Sequence, residues 1–237
     1  MPQVNFKRLL SRRDLLLRGG ASALVLTGVS QSDWMAAFAQ SITIAATPSE
    51  TEGPYWVDEQ LNRSDIRTDP STGVVSAGFP LALGITVSRI TGGTIVPLSG
   101  AYVDIWHCNA SGLYSDESAN NTVGQKYLRG YQVADAHGNV RFLTIYPGWY
   151  SGRTVHIHFR VRLYSGSSTS LNFTSQLFFD ESVTTTIFGL SPYAQRPNRD
   201  TFNATDMIYA SGGSGLLLRL AQDGTYGLSS FHVMLNA

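Results

Sequence analysis

The run Val155-His156-Ile157-His158-Phe159-Arg160-Val161-Arg162-Leu163 carries the most suggestive chemistry in the sequence. On a strand, successive side chains point to opposite faces. Val155, Ile157, Phe159, Val161 and Leu163 then share a core face, and His156, His158, Arg160 and Arg162 share the other. The two imidazoles stand side by side, about 7 Å apart along the strand. They are expected off the packed interior, where a cavity or loop can meet them. That is a chelating arrangement, but it does not choose a metal: copper and zinc proteins use it too. The single cysteine, Cys108, rules out a thiolate site. His137 sits in a turn and reads as solvated, and His107 reads as a packed or hydrogen-bonded residue at a strand end. Two phenols stand close in sequence. Tyr150 lies six residues before His156, and Tyr114 follows the turn Asn109-Ala110-Ser111-Gly112. A phenol with a pKa of about 10 is a poor ligand at neutral pH. A highly charged ion stabilises the phenolate, and hard oxygen anions with imidazoles favour ferric iron. Spacing alone makes Tyr114 and Tyr150 no better than the other nine tyrosines.

These side chains need strands to hold them, and the sequence supplies strands. Alternating or β-rich runs recur at Leu81–Ile90, Ala101–Trp106, Tyr127–Val133, Val140–Ile145, Thr154–Tyr164, Phe173–Phe179, Leu216–Leu220 and Tyr226–Leu235. Turn formers such as Thr91-Gly92-Gly93, His137-Gly138-Asn139 and Ser165-Gly166-Ser167 separate them. The expectation is an all-β, antiparallel β-sandwich or barrel. One short helix is expected over about Ser182–Phe188, capped by Asp180 or Ser182. Residues 40–80 read as an irregular arm, broken by Pro48, Gly53-Pro54, Pro70 and Gly73.

Composition narrows the function classes. Hydrophobic residues make up 43% of the 237 and charged ones 14%, which excludes a disordered chain. Lys7 and Lys126 are the only lysines and the formal charge is zero, so no nucleic acid is expected as a partner. Near the start, Ser11-Arg12-Arg13 precedes the short apolar run 19–29, and Ala37-Phe38-Ala39 has the form of a signal-peptidase site. Residues 1–39 are read as a twin-arginine export signal, too short in its apolar part to span a membrane. The mature domain is then 40–237, with a formal charge of −3, since the removed piece holds five basic and two acidic residues. The expected location is periplasmic or extracellular, with no transmembrane span in the mature chain. Export in the folded state suits a protein that takes up its cofactor before export.

The ordered pieces Thr51-Glu52-Gly53-Pro54-Tyr55-Trp56, Asp104-Ile105-Trp106-His107-Cys108-Asn109-Ala110-Ser111-Gly112-Leu113-Tyr114-Ser115, Arg129-Gly130-Tyr131 and Tyr146-Pro147-Gly148-Trp149-Tyr150-Ser151-Gly152-Arg153-Thr154-Val155-His156-Ile157-His158 together resemble the intradiol ring-cleavage dioxygenases, in their compact secreted branch. The resemblance spans roughly residues 47–180. It implies a transthyretin-like β-sandwich and a non-haem Fe(III) cofactor held by Tyr114, Tyr150, His156 and His158. It implies Arg153 and Tyr150 as catalytic residues, and Arg153, Gln176 and Tyr55 as substrate-binding ones. The implied partners are a small aromatic diol and O2, cleaved to a cis,cis-muconate-type diacid, with a homo-oligomer left open. The sequence departs from that branch in lacking a partner for Cys108 near Pro97-Leu98, and its Tyr150–His156 loop is shorter than in the classical soluble enzymes of the family. Two other classes stay open at this point. One is a non-catalytic secreted binding module, and the other a copper or zinc protein built on the same histidine pair.

Overall fold

The computed structural model describes residues 44–196, 198–222 and 226–236. The export signal expected over 1–39 lies outside them. Ten strands form two five-stranded sheets among the described residues. The first holds β1 (Pro80–Thr91), β2 (Thr94–Pro97), β5 (Asn139–Ile145), β9 (Ala221–Gln222) and β10 (Gly227–Asn236). The second runs in the order β4 (Arg129–Val133), β3 (Tyr102–Trp106), β6 (His156–Ser165), β7 (Ser168–Phe179), β8 (Leu217–Leu218). Each of the eight β-rich runs became a strand. Only β2 and β9, four and two residues long, went unanticipated.

Alternation builds the core. Leu81, Leu83, Ile85 and Val87 of β1 meet Val103 and Ile105 of β3, Ile157, Phe159 and Val161 of β6, and Leu177 and Phe179 of β7 in one apolar cluster. Burying each such side chain stabilises the fold by about 1.5–3 kcal/mol, so the cluster anchors β6 independently of whatever its outer face holds.

Two expectations need correction. The sheets are not wholly antiparallel: β1 pairs parallel with β10, and β7 with β8. Alternation reports which face is apolar and is silent on the direction of the neighbouring strand. The helix begins one residue earlier, as α1 (Glu181–Phe188), with the Asp180 side chain accepting from the Ser182 N–H. It is also not the only one, since a four-residue helix α2 (Tyr209–Gly212) and several 3-10 turns fill the stretch after it. As expected, His156 and His158 lie off the apolar core, where a loop segment meets them. They are 2% and 1% exposed, because the arm crosses the outer face of the second sheet. No helix among the described residues is long and apolar enough to cross a membrane.

Arm docking rests on many small contacts. Arg160 pairs with Glu52 at 2.8 Å, and Arg162 with Asp58 at 2.7 Å. Both guanidinium groups lie over the Trp56 ring, at 4.8 and 5.6 Å from its centroid. The Ser175 hydroxyl donates to the Pro48 carbonyl, and Glu50 N–H to the Thr174 carbonyl. Each ion pair contributes about 0–1 kcal/mol and each cation–π contact about 0.5–1 kcal/mol, so only their sum seats the segment.

Candidate metal centre

Strand register lines up one row of residues across the outer face of the second sheet. Arg129 on β4 pairs with Trp106 on β3, Trp106 with His158 on β6, and His158 with Gln176 on β7. His156, two residues from His158, stands opposite Phe178. The Trp106 ring stacks flat on the His158 imidazole, 4.8 Å between centroids and 6° between planes. His156 is oriented differently: its Nδ1 donates to the Thr154 carbonyl at 2.6 Å. That bond fixes the tautomer and leaves the lone pair on Nε2.

Two loops bring in the phenols. In the first, the Asn109 side chain accepts from the Ser111 and Leu113 N–H groups, and closes a turn that delivers Tyr114. Gly112 in this turn has φ +77°, and a β-carbon there would sit 2.0 Å from the Trp149 carbonyl oxygen, so only glycine lets the two loops approach. The second loop, 146–153, delivers Tyr150. The Tyr114 Oη lies 3.5 Å from His156 Nε2, and the Tyr150 Oη lies 3.2 Å from it. His158 Nε2 lies 3.1 Å from the same atom.

Two oxygens and two nitrogens therefore converge. Donors bonded at about 2.0–2.1 Å to one ion and at right angles lie about 3 Å apart, so these spacings fit ligands around a single cation. Protonation states fit as well. Burial, reinforced by the Arg153 charge, pushes His156 down to about 3. Burial and its neighbour His156 hold His158 well below the ordinary imidazole range. Both rings are thus neutral at neutral pH, as metal ligands would have to be. Burial raises both phenols, Tyr114 well above the usual value. Only a strongly charged cation recovers that penalty and holds them as phenolates.

The arm closes the site. Tyr55 stacks on Tyr114 at 4.2 Å and meets Tyr150 edge-on at 5.8 Å. Arg129 ties the two together: it donates to the Tyr55 carbonyl at 2.6 Å, and to the Ser115 hydroxyl and carbonyl at 2.9 and 2.6 Å. Gly53, with φ +69°, passes so close that a β-carbon would lie 3.3 Å from His158 Cε1.

Arg153 sits beside the four donors. Its Nη2 donates to Gln176 Oε1 at 2.6 Å and its Nε to Asp206 Oδ2 at 2.8 Å. Gln176 spends its other end on the Thr51 carbonyl at 2.8 Å, so its direct contacts are to Arg153 and the arm. The sequence reading had singled out all six of Tyr55, Tyr114, Tyr150, Arg153, His156 and His158 that gather here. It missed the packing of Trp106, the Thr154 carbonyl, Arg129 and Asp206. Of these Trp106, Arg129 and Thr154 lie inside the motif pieces, and Asp206 carried no signal. His107 is buried, its Nε2 2.6 Å from the Thr144 hydroxyl and its Nδ1 2.8 Å from the Cys108 carbonyl, a structural residue as expected. His137 is exposed.

A family model described as a dioxygenase matches residues 51–189, more than half of the chain. Catechol 1,2-dioxygenase 1 of Acinetobacter lwoffii is 29% identical over 138 residues, covering 48% of this chain and 42% of that protein. Chlorocatechol 1,2-dioxygenase of Pseudomonas putida is 33% identical over 101 residues, covering 35% and 37%. The chain thus spans less than half the length of these relatives. An intradiol ring-cleavage dioxygenase from Tetranychus urticae, of known structure, superposes with a TM-score of 0.69 and 28% identity, covering 81% of this chain and 94% of that one. With the matched region spanning both phenol loops, the histidine strand and Gln176, the chain belongs to the intradiol ring-cleavage dioxygenase family.

Proposed function

We propose that the chain cleaves a catechol-type ring between its two hydroxyl-bearing carbons, adding both atoms of O2 to give a cis,cis-muconate-type diacid. Non-haem Fe(III) would be held by Tyr114, Tyr150, His156 and His158. The observation that carries the reading is the convergence of the Tyr114, Tyr150 and His158 donors on His156 Nε2 within 3.1–3.5 Å. Two phenols raised by burial and two imidazoles kept neutral favour a trivalent, oxygen-seeking ion over zinc or copper(I). The relatives named as catechol and chlorocatechol 1,2-dioxygenases support the substrate class. The scaffold is proposed to be of transthyretin-like type.

When bound, ferric iron supplies Lewis-acid withdrawal of electron density from the ring, opening it to O2. The protein's own groups do the rest. Tyr114 is 1% exposed while Tyr150 is only half-buried, so Tyr150 is the phenol a substrate can reach. Held as a phenolate, its Oη would accept a proton from a catechol hydroxyl and become the neutral phenol. Arg153, permanently charged, faces negative charge developing on the ring. Tyr55, stacked on Tyr114 under the arm, helps exclude water and offers an aromatic wall to the ring.

Export through the twin-arginine route, with residues 1–39 as signal and 40–237 as mature domain, belongs to the same proposal and rests on Arg12-Arg13 and Ala37-Phe38-Ala39. The functional test is oxygen uptake across a panel of substituted catechols. Stoichiometric uptake with a diacid product supports the reading. No uptake with any catechol by iron-loaded protein refutes it.

A further inference from the structure

Asp206 lies outside the stretch that matches the dioxygenase family, yet it contacts Arg153, which sits beside the four donors. Its carboxylate is fully buried and accepts four hydrogen bonds. Oδ2 takes Arg153 Nε at 2.8 Å and the Thr154 N–H at 2.7 Å. Oδ1 takes the N–H groups of Ile208 and Tyr209 at 2.8 and 2.9 Å. Three residues earlier, Asn203 Oδ1 accepts from the Thr154 hydroxyl at 2.7 Å, while Asn203 Nδ2 donates to the Phe179 carbonyl at 2.9 Å. One turn therefore grips Thr154 at both its N–H and its hydroxyl. The carbonyl of that same residue orients the His156 ring.

The Arg153 guanidinium is consequently held from two sides. Asp206 takes Nε and Gln176 takes Nη2. Two fixed donors on a planar fork set its plane, and leave the remaining N–H groups for charge that appears on a substrate. We infer that Asp206 is a positioning residue for ring cleavage: it sets the plane of Arg153 and, with Asn203 acting through Thr154, steadies His156. This rests on the dioxygenase reading above.

A purely structural role as a cap for the turn at Ile208–Tyr209 makes a different prediction. Asparagine caps as well as aspartate, so Asp206→Asn keeps the two bonds at Oδ1. At the other end it sets an NH2 against Arg153 Nε–H and the Thr154 N–H, donor against donor. Misplacing a working group by about 1 Å costs on the order of 10²-fold in rate.

The test is a double-mutant cycle on the full chain loaded with iron: wild type, Asp206→Asn, Arg153→Ala and both together. The expected result is iron content and a visible phenolate-to-iron band retained in Asp206→Asn, with kcat/KM down by about 10²-fold. In the Arg153→Ala background the second substitution adds little. Thermal unfolding of the metal-free proteins gives the same cycle without turnover, and the double variant is expected to melt above the additive sum of the two losses. Wild-type kcat/KM in Asp206→Asn, or losses that simply add, overturns the inference. Should Asp206→Asn not fold, Asp206→Ser, also a good cap with an acceptor oxygen, replaces it under the same criteria. Wild-type protein that consumes no O2 sinks the ring-cleavage reading alone, because the metal-free unfolding cycle still measures whether Arg153 and Asp206 are coupled.

Discussion

His156 and His158 present their Nε2 atoms to one another at 3.1 Å, and they are braced by different means. A hydrogen bond to the Thr154 carbonyl holds His156, and flat stacking on Trp106 holds His158. Neither brace depends on a cation, so the pair is pre-organised by the sheet. Stripping the metal with a chelator should leave a folded protein. A ligand at 1,000 times its dissociation constant stabilises by about 4 kcal/mol, which for a domain of this size corresponds to about 8–16 °C in Tm. A metal-free protein that melts lower by that order, and recovers on adding ferric iron, is the expected outcome in a thermal scan.

Tyr150 and Tyr114 differ in access, and their substitutions should differ accordingly. Tyr150→Phe is expected to retain iron on three ligands, lose part of the visible phenolate band and slow turnover by about 10²–10³-fold, the usual cost of one preorganised group. Visible spectra and oxygen-uptake rates on the same sample check both halves. Full colour and full rate in this variant contradict its assignment as ligand and base.

Gly53 is where the arm passes over His158. Alanine there takes on a left-handed backbone costing about 1–2 kcal/mol and a β-carbon 3.3 Å from His158 Cε1. Gly53→Ala should lower Tm by about 2–8 °C and raise KM for catechol, because the neighbouring Tyr55 shifts with the arm. Calorimetry and steady-state kinetics read the two effects. A substitution at Gly92, whose surroundings are open, tests backbone cost without the contact.

Acid stability should report on Asp206. Burial alone raises its carboxyl, but the N–H groups of Tyr209 and Thr154 and the Arg153 guanidinium outweigh burial and hold it below the ordinary carboxylate range. A carboxyl depressed in the folded state stabilises fully above its unfolded pKa, about 3.9, and loses that contribution as pH falls through the folded value. Metal-free wild type should therefore lose Tm progressively below about pH 4. Asp206→Asn should show a shallower acid limb, measured by unfolding scans from pH 7 to pH 3.

The histidine pair was legible in the sequence because strand alternation puts His156 and His158 on one face whatever the rest of the chain does. Register then delivered the row from Arg129 to Gln176 without further signals. The phenols were not legible from spacing, since loops carry no period, and they came only through the motif around them. Which segment covers the histidine face was not legible for a related reason. The covering arm has no alternation, and the hold of its Glu52 and Asp58 on Arg160 and Arg162 is made of contacts about a hundred residues apart in sequence. Asp206 was invisible for the same cause, sitting 53 residues from Arg153 in a stretch of short turns. The parallel pairing of the first and last strands escaped because alternation fixes faces, not direction.

Metal analysis combined with the visible spectrum of the purified protein tests the central claim most directly. The account predicts one iron per chain and a broad phenolate-to-iron band that changes when catechol is added without O2. Stoichiometric zinc or copper with no such band, or a chain that binds no metal while Tyr114, Tyr150, His156 and His158 remain in place, contradicts it.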